Sequence, residues 1–143
     1  MTTLTGHCLC GAVTIRVAQH DARLGACHCR MCQRWSGALF VCFSAPPGSV
    51  TVEGDVARHQ SSAFAERAFC PACGSHLWMR DTDRDEVGYD LMPGLFDAAL
   101  DWPLTSEIYS DRAMAAIHLQ GAHPRTPRAD YEAEFNHVEG ETR

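Results

Sequence analysis

The alternation of apolar and polar residues predicts short strands along most of the chain. From Ala12 to Val17 the apolar residues occupy every second position, so Val13, Ile15 and Val17 are expected on one buried face. The continuous apolar stretch Ala38 to Phe43 has the length of a buried strand. It is followed by Pro46-Pro47-Gly48, a strong turn signal, and is therefore predicted to end there.

The remaining pattern adds more strands and little helix. Further strands are predicted at Val50 to Val52, Val56 to His59, Phe64 to Phe69, Leu77 to Arg80 and Glu86 to Met92. Glu53-Gly54-Asp55 is predicted to be a hairpin turn between the first two. One helical turn is expected at Asp97 to Trp102, and a C-terminal helix at Arg128 to Val138. Many short strands with few helices predict a mainly β fold.

Length and composition predict one domain that spans residues 1–143. The chain has 143 residues, 45% of them apolar, and neither an internal repeat nor a flexible linker divides it. Met1 to Gly6 lacks the basic and apolar regions of a signal peptide, and the longest apolar stretch is too short to cross a membrane. We therefore expect a cytoplasmic protein with no membrane partner.

The charge of the chain excludes one class of partner. All twelve basic residues are arginines, and with 18 acidic residues the formal net charge is −6. A polybasic arm of the kind that binds phosphate backbones is absent, so nucleic acid is not expected as a partner.

Eight cysteines are the most unusual feature of the composition. In a reducing compartment, clustered cysteines are more often metal ligands or catalytic groups than disulfides. Seven of them form three groups: Cys8 and Cys10; Cys27, Cys29 and Cys32; Cys70 and Cys73. The eighth, Cys42, is expected to be a buried apolar residue.

The spacing of the groups suits zinc, whose tetrahedral sulfur ligands lie roughly 3.8 Å apart. The simplest division joins the first and third groups into a closed, structural four-sulfur site, with Gly74 at positive φ in its turn. The middle group then has three sulfurs and an open position, as catalytic zinc does. Spacing alone leaves open which cysteines share a metal, whether His28 is a fourth ligand, and whether a C-x-x-C pair is redox-active.

Three ordered motifs resemble one protein family. Gly6-His7-Cys8-Leu9-Cys10-Gly11-Ala12-Val13 resembles its G-x-C-x-C-G-x-V motif. The segment from Cys27 to Arg34, followed by Gly37, resembles C-H-C-x-x-C-x-[KR]-x-x-G, and the segment from Phe69 to Ser75 resembles F-C-x-x-C-G-[ST]. The family is that of the glutathione-dependent formaldehyde-activating enzymes, which also contains centromere protein V. The motifs lie within residues 6–75, and beyond about residue 112 we find no match.

The resemblance implies a β-tent of antiparallel sheets stapled by zinc, with two zinc ions per chain. It assigns structural zinc to Cys8, Cys10, Cys70 and Cys73, and catalytic zinc to Cys27, Cys29 and Cys32. The implied activity is that of a carbon–sulfur lyase, which interconverts glutathione plus formaldehyde with S-hydroxymethylglutathione. The partners would thus be a small-molecule thiol and a small aldehyde.

Charge also suggests where an anionic thiol would bind. Seven thiolates add −7 and two Zn²⁺ add +4, which brings the loaded protein to about −9. Because glutathione is itself anionic, Arg30 and Arg34 are candidates to bind its carboxylates. Trp35 is a candidate pocket wall, with a place in the core as its alternative.

Two other functions stay open at this point. The same zinc-stapled scaffold can serve as a non-catalytic interaction module, because fold does not fix function. The chain can also carry out the same chemistry with another thiol or aldehyde. No histidine is singled out as a general base, and the oligomeric state is not predicted.

Overall fold

The computed structural model describes residues 2–138, which divide into two compact units. Within these residues, one unit comprises residues 2–22 and 42–102, and the other comprises residues 23–41 and 103–138. We call them unit 1 and unit 2. The expectation of a single domain over residues 1–143 stays a prediction.

Strands dominate the described residues, as predicted. The strands are β1 (Leu4–His7), β2 (Thr14–Val17), β3 (Leu24–Cys27), β4 (Phe40–Ala45), β5 (Val50–Glu53), β6 (Ala57–Gln60), β7 (Ala65–Phe69), β8 (His76–Asp81), β9 (Tyr89–Leu91), β10 (Leu104–Ile108) and β11 (Arg125–Thr126). The α-helices are α1 (Arg30–Ser36) and α2 (Arg128–Glu134). The mainly β class is therefore confirmed.

The first sheet of unit 1 has the antiparallel order β1-β2-β5. Val13, Ile15 and Val17 are fully buried, which confirms the buried face that their alternation predicted. Each fully buried aliphatic side chain of this size contributes about 1.5–3 kcal/mol through the apolar surface it removes from water.

The second group of strands in unit 1 has the antiparallel order β9-β8-β7-β6, and the part of β4 from Cys42 onward pairs with β9. Phe43 packs edge-on against Phe96 and Trp102 in its core. Cys42 itself is only partly buried, contrary to expectation. The predicted helical turn near residue 97 is confirmed as the 3₁₀ helix Asp97–Asp101.

The predicted hairpin at Glu53-Gly54-Asp55 is wrong. β5 pairs with β2 in the first sheet, whereas β6 pairs with β7 in the other group of strands. Gly54 has φ 102°, and a Cβ there would lie 2.1 Å from the carbonyl oxygen of Ala12. The glycine thus lets the chain cross close to a neighbouring backbone and leave the first sheet.

Unit 2 contains the parallel strand order β11-β10-β3 together with both α-helices. Helix α1 was not predicted from the sequence. Helix α2 ends at Glu134, four residues before the predicted end. No helix among residues 2–138 has both the length and the apolar character needed to cross a membrane.

Candidate metal centres

The structure brings four cysteines of unit 1 together in one group. The Sγ atoms of Cys8, Cys10, Cys70 and Cys73 all lie within 4.8 Å of one another. The Sγ of Cys10 is 3.7 Å from that of Cys8 and 3.9 Å from that of Cys70. Because tetrahedral zinc needs sulfur–sulfur distances of roughly 3.8 Å, this donor set fits the metal.

A tight turn holds the second pair of sulfurs. The Gly74 amide donates to the carbonyl of Cys70 at 2.8 Å, and the Cys70 amide donates to the carbonyl of Ser75 at 2.9 Å. Gly74 has φ 78°, which confirms the positive φ predicted for it. The turn directs Cys70 and Cys73 to the same side, as two ligands of one ion require.

The hydroxyl of Ser75 joins the two arms of this four-cysteine site. It accepts from the Leu9 amide at 3.0 Å and lies 3.2 Å from the Sγ of Cys73. Its hydrogen bond, together with the Ser75 and Cys10 amides, lowers the pKa of Cys73 to about 5. Sequence reasoning gave Ser75 no role, although its place directly after the C-x-x-C-G turn was a usable signal.

The other thiols of the site titrate differently. A hydrogen bond from the Ala12 amide favours the thiolate of Cys10, but the sulfurs of Cys73 and Cys8 outweigh it and raise the pKa of Cys10 to about 11. For Cys8, burial favours the thiol, yet hydrogen bonds from the Val13 amide and neighbouring sulfurs lower the pKa on balance. A metal ion must therefore displace protons from this site as it binds.

Three further cysteines converge in unit 2. The Sγ atoms of Cys27, Cys29 and Cys32 lie within 4.8 Å of one another, and all three residues are buried. Cys27 ends β3, Cys29 is the N-cap of α1, and Cys32 lies in the first turn of α1, where its amide donates to the Sγ of Cys29 at 3.3 Å. We call this group the three-cysteine site.

The closeness of the three sulfurs determines the protonation of the site and which ion it can bind. The pKa of Cys27 is raised well above its ordinary value. Hydrogen bonding with the sulfurs of Cys29 and Cys32 is the largest cause, and burial is the next. Without a cation the site keeps a proton, because three thiolates this close repel one another. Three soft, buried donors fit zinc with one further position left for another ligand.

His28, which lies between Cys27 and Cys29 in sequence, is not part of the group formed by the three sulfurs. Its Nε2 lies 2.7 Å from Oε1 of Glu107, and its side chain is 1% exposed. Its amide donates to the carbonyl of Ile108 at 3.0 Å, and its carbonyl accepts from Nε2 of Gln33 at 2.7 Å. These contacts of its ring, amide and carbonyl hold the backbone between Cys27 and Cys29 in place.

Glu107 is the residue of this region that sequence reasoning missed most clearly. Burial raises the pKa of its carboxyl, but hydrogen bonds from His123 and His28 and the charge of Arg125 outweigh that effect and lower it. Glu107 lies in β10, 79 residues from His28 along the chain. The only sequence signal was an acidic residue in a strand-like segment, which is usually a solvent-facing position.

The three candidate substrate residues all lie on α1. Arg30 and Arg34 are one turn apart and share a helix face, and Arg34 is exposed. The Arg30 guanidinium donates to Oε1 of Gln33. Trp35 is half-buried, with its ring centroid 6.2 Å from that of Phe40.

Comparison with protein families gives a match over most of the chain. The family model described as "Glutathione-dependent formaldehyde-activating enzyme" matches residues 3–112. An "Uncharacterized lyase" of Schizosaccharomyces pombe is 36% identical over 84 residues, which cover 58% of this chain and 61% of the relative. A "Putative glutathione-dependent formaldehyde-activating enzyme" of Halomonas elongata is 32% identical over 90 residues, which cover 54% of this chain and 56% of the relative.

A further relative and a solved structure also match the chain. A protein of Podospora anserina with the same name as that of Halomonas is 38% identical over 79 residues, covering 51% of this chain and 37% of the relative. The chain thus spans between about a third and three fifths of these relatives. A crystal structure of a Rhodobacter sphaeroides protein matches with a TM-score of 0.56 and 24% identity, covering 71% of this chain and all of that one. This last likeness concerns the fold alone.

Proposed function

The chain belongs to the glutathione-dependent formaldehyde-activating enzyme family, and from this premise we propose that it is a zinc-dependent carbon–sulfur lyase. Its substrates would be a small-molecule thiol and a small aldehyde, with glutathione and formaldehyde as the pair that the family name indicates. The single observation that carries the proposal is the three-cysteine site, whose converging sulfurs supply three of the four ligands that zinc takes.

We assign different roles to the two cysteine groups. Cys8, Cys10, Cys70 and Cys73 would hold a structural zinc, because four sulfurs close the coordination sphere. Cys27, Cys29 and Cys32 would hold the catalytic zinc, for a total of two per chain. The convergence of the sulfurs and the match to the family model support this division.

The reaction adds a thiol to a carbonyl. The thiol sulfur forms a bond to the carbonyl carbon, the carbon–oxygen π bond breaks, and the thiol proton ends on the oxygen. Zinc held by three thiolates is a weaker Lewis acid than zinc held by histidines, so the chemistry it supplies when bound is to hold the substrate sulfur as a thiolate.

The residues of α1 would bind the rest of an anionic thiol. The loaded protein carries a charge of about −9, which repels glutathione at long range. Arg30 and Arg34 share one face of α1, the helix that also carries Cys32, and each guanidinium can pair with a carboxylate. Trp35, which follows directly, would form an apolar wall.

Exchange spectroscopy by NMR tests the activity directly. Zinc-loaded protein is added to glutathione and ¹³C-formaldehyde at equilibrium, and the rate of exchange between free and adduct formaldehyde is compared with the spontaneous rate. We expect acceleration by wild type and none by Cys32→Ser, which keeps the four-cysteine site. Exchange at the spontaneous rate with two zinc ions bound would instead favour the non-catalytic interaction module.

The role of Arg34 predicts a separation of kinetic constants. Arg34→Ala should raise KM for an anionic thiol about 10-fold, as expected for loss of a charged hydrogen bond of about 1.5 kcal/mol, while kcat changes less. Arg16→Ala is the matched control, because Arg16 is also exposed but belongs to β2 in unit 1. An unchanged KM in Arg34→Ala would contradict this assignment.

A further inference from the structure

We propose that residues 119–126, the C-terminal segment, act as a positioning element of the three-cysteine site. His123 and Arg125 hold the carboxylate of Glu107 in place, and this carboxylate in turn holds His28. The proposal rests on the metal-binding role proposed above for Cys27, Cys29 and Cys32. It gives a function to a part of the chain that lies outside the family match, which ends at residue 112.

The chain of contacts begins at His28, between two of the proposed ligands. Three of its polar groups are engaged: the amide by Ile108, the carbonyl by Gln33, and Nε2 by Glu107. His28 is joined directly to Cys27 and Cys29, so the conformation of its backbone sets where both neighbouring sulfurs lie. Any rotation of the His28 backbone would therefore displace the neighbouring sulfurs.

Glu107 is held from both of its oxygens. Oε1 accepts from Nε2 of His28 at 2.7 Å, and Oε2 accepts from Nε2 of His123 at 2.6 Å and lies 3.1 Å from Nε of Arg125. The side chains of Glu107 and His123 are 6% and 5% exposed. A buried carboxylate depends on its donors, so the loss of those on Oε2 would let the group turn toward water and release His28.

Arg125 lies in strand β11, and His123 lies two residues before it. The strand pairs in parallel with β10, with Arg125 opposite Glu107, and the Glu107 amide donates to the carbonyl of Pro124 at 3.0 Å. Arg125 also donates to the carbonyls of Leu119 and Gly121, which ties down the loop before the strand. The segment is thus built around the carboxylate of Glu107 by both backbone and side-chain contacts.

The expected size of the effect follows from other metal sites. Removal of a residue that orients a metal ligand by a hydrogen bond typically lowers metal affinity or activity by about 10–100-fold. His28, Glu107 and His123 form a layer of such residues, although His28 acts through the backbone instead of through a ligand ring. The effect should fall on the three-cysteine site and leave the four-cysteine site unchanged.

The experiment compares three variants of the full chain: His123→Leu, which removes the donor; His123→Gln, which keeps an N–H; and His118→Ala, an exposed control directly before the segment. Cobalt(II) is bound in place of zinc, the sulfur-to-metal charge-transfer and d–d bands are recorded, and a chelator series gives the affinity of each site. We expect His123→Leu to weaken one site about 10–100-fold and shift its bands, with His123→Gln within about 3-fold of wild type.

Each outcome decides the proposal. If His123→Leu weakens metal binding equally at both sites, the variant is generally destabilised and the proposal is overturned. If metal affinity is unchanged at both sites, the segment is not coupled to the three-cysteine site, and the proposal is overturned as well. If His123→Leu does not fold, Arg125→Ala takes its place, since Arg125 is exposed and its loss leaves His123 as a partner of Oε2. A smaller shift confined to the same site supports the proposal, and none overturns it.

The proposed function can fail separately. If wild type binds a single metal ion per chain, the assignment of the catalytic zinc is wrong. The positioning role is then decided on metal-free protein by amide hydrogen exchange at residues 27–33. Faster exchange there in His123→Leu than in His118→Ala supports the role, and equal exchange overturns it.

Discussion

Replacement of Gln33 tests how helix α1 is held in unit 2. Gln33 is 3% exposed, and both hydrogens of its amide nitrogen are used. Nε2 donates to the carbonyls of His28 and Arg112, each at 2.7 Å, and Oε1 accepts from Arg30. Gln33→Met keeps the length of the side chain and removes all three hydrogen bonds.

The loss in the free energy of unfolding is the sum of the effects of three hydrogen bonds, less a gain from apolar burial. The carbonyl of His28 is buried, so leaving it without this donor costs about 1–3 kcal/mol, whereas each of the two part-buried bonds contributes about 0.5–1.5 kcal/mol. Burial of the additional apolar surface of Met offsets about 1 kcal/mol. We expect a net loss of about 1–5 kcal/mol in the free energy of unfolding, a substantial part of the stability of a typical domain.

Urea unfolding of the zinc-loaded protein, with linear extrapolation to water, gives the free energy of unfolding. Gln33→Glu keeps the shape but sets a carboxylate oxygen against two carbonyls, so it should lose at least as much as Gln33→Met. Gln120→Met, at an exposed position, should stay within about 0.5 kcal/mol of wild type. If Gln33→Met also stays within that range, the argument that these hydrogen bonds hold α1 is refuted.

Three further perturbations have defined outcomes. Gly54→Ala should destabilise the protein by about 2–5 kcal/mol in thermal unfolding, because its Cβ would meet a neighbouring carbonyl, whereas Gly48→Ala, with the same sign of φ but open space, should lose only about 1–2 kcal/mol. Burial raises the pKa of Asp90 to about 6, above its ordinary value of 3.8, so the folded state binds the extra proton and stability falls as the pH rises from about 4 to 6. Asp90→Asn should therefore be about 1–2 kcal/mol more stable than wild type near pH 7.5 in urea unfolding and lose this advantage as the pH falls toward 4; an advantage that does not vary with pH would contradict this. Elemental analysis should find two zinc ions in wild type and one in Cys32→Ser, while Cys10→Ser should lower the unfolding temperature far more than Cys32→Ser does.

Local patterns in the sequence predicted what depends on neighbouring residues. The alternation of Val13, Ile15 and Val17 predicted a buried strand face, because a strand exposes every second residue to the same side. The turn around Gly74 could also be predicted, because the hydrogen bonds and the positive φ that form it all lie within the C-x-x-C-G segment and the residue after it. In both places the information lies within six residues.

Features that depend on distant contacts could not be predicted in this way. Helix α1 has only seven residues, and its buried positions Met31, Cys32 and Gln33 are consecutive, so no helical period is visible. Glu107 is a buried acid whose partners are 79 residues before it and 16 residues after it. The path after Gly54 depends on which strands are available for pairing, and the turn residues do not encode that.

The two cysteine groups differ in how much chain each one closes, and this difference bears on their roles. Cys10 and Cys70 are 60 residues apart, so a metal ion between them closes a long loop and reduces the entropy of the unfolded chain. Cys27, Cys29 and Cys32 lie within six residues, and an ion there closes almost nothing. Metal binding at the first group is therefore coupled strongly to folding, whereas the shape of the second must come from contacts around it. That is why the hydrogen bonds of His28, Gln33 and Glu107 should matter more for the three-cysteine site than its own short spacing does.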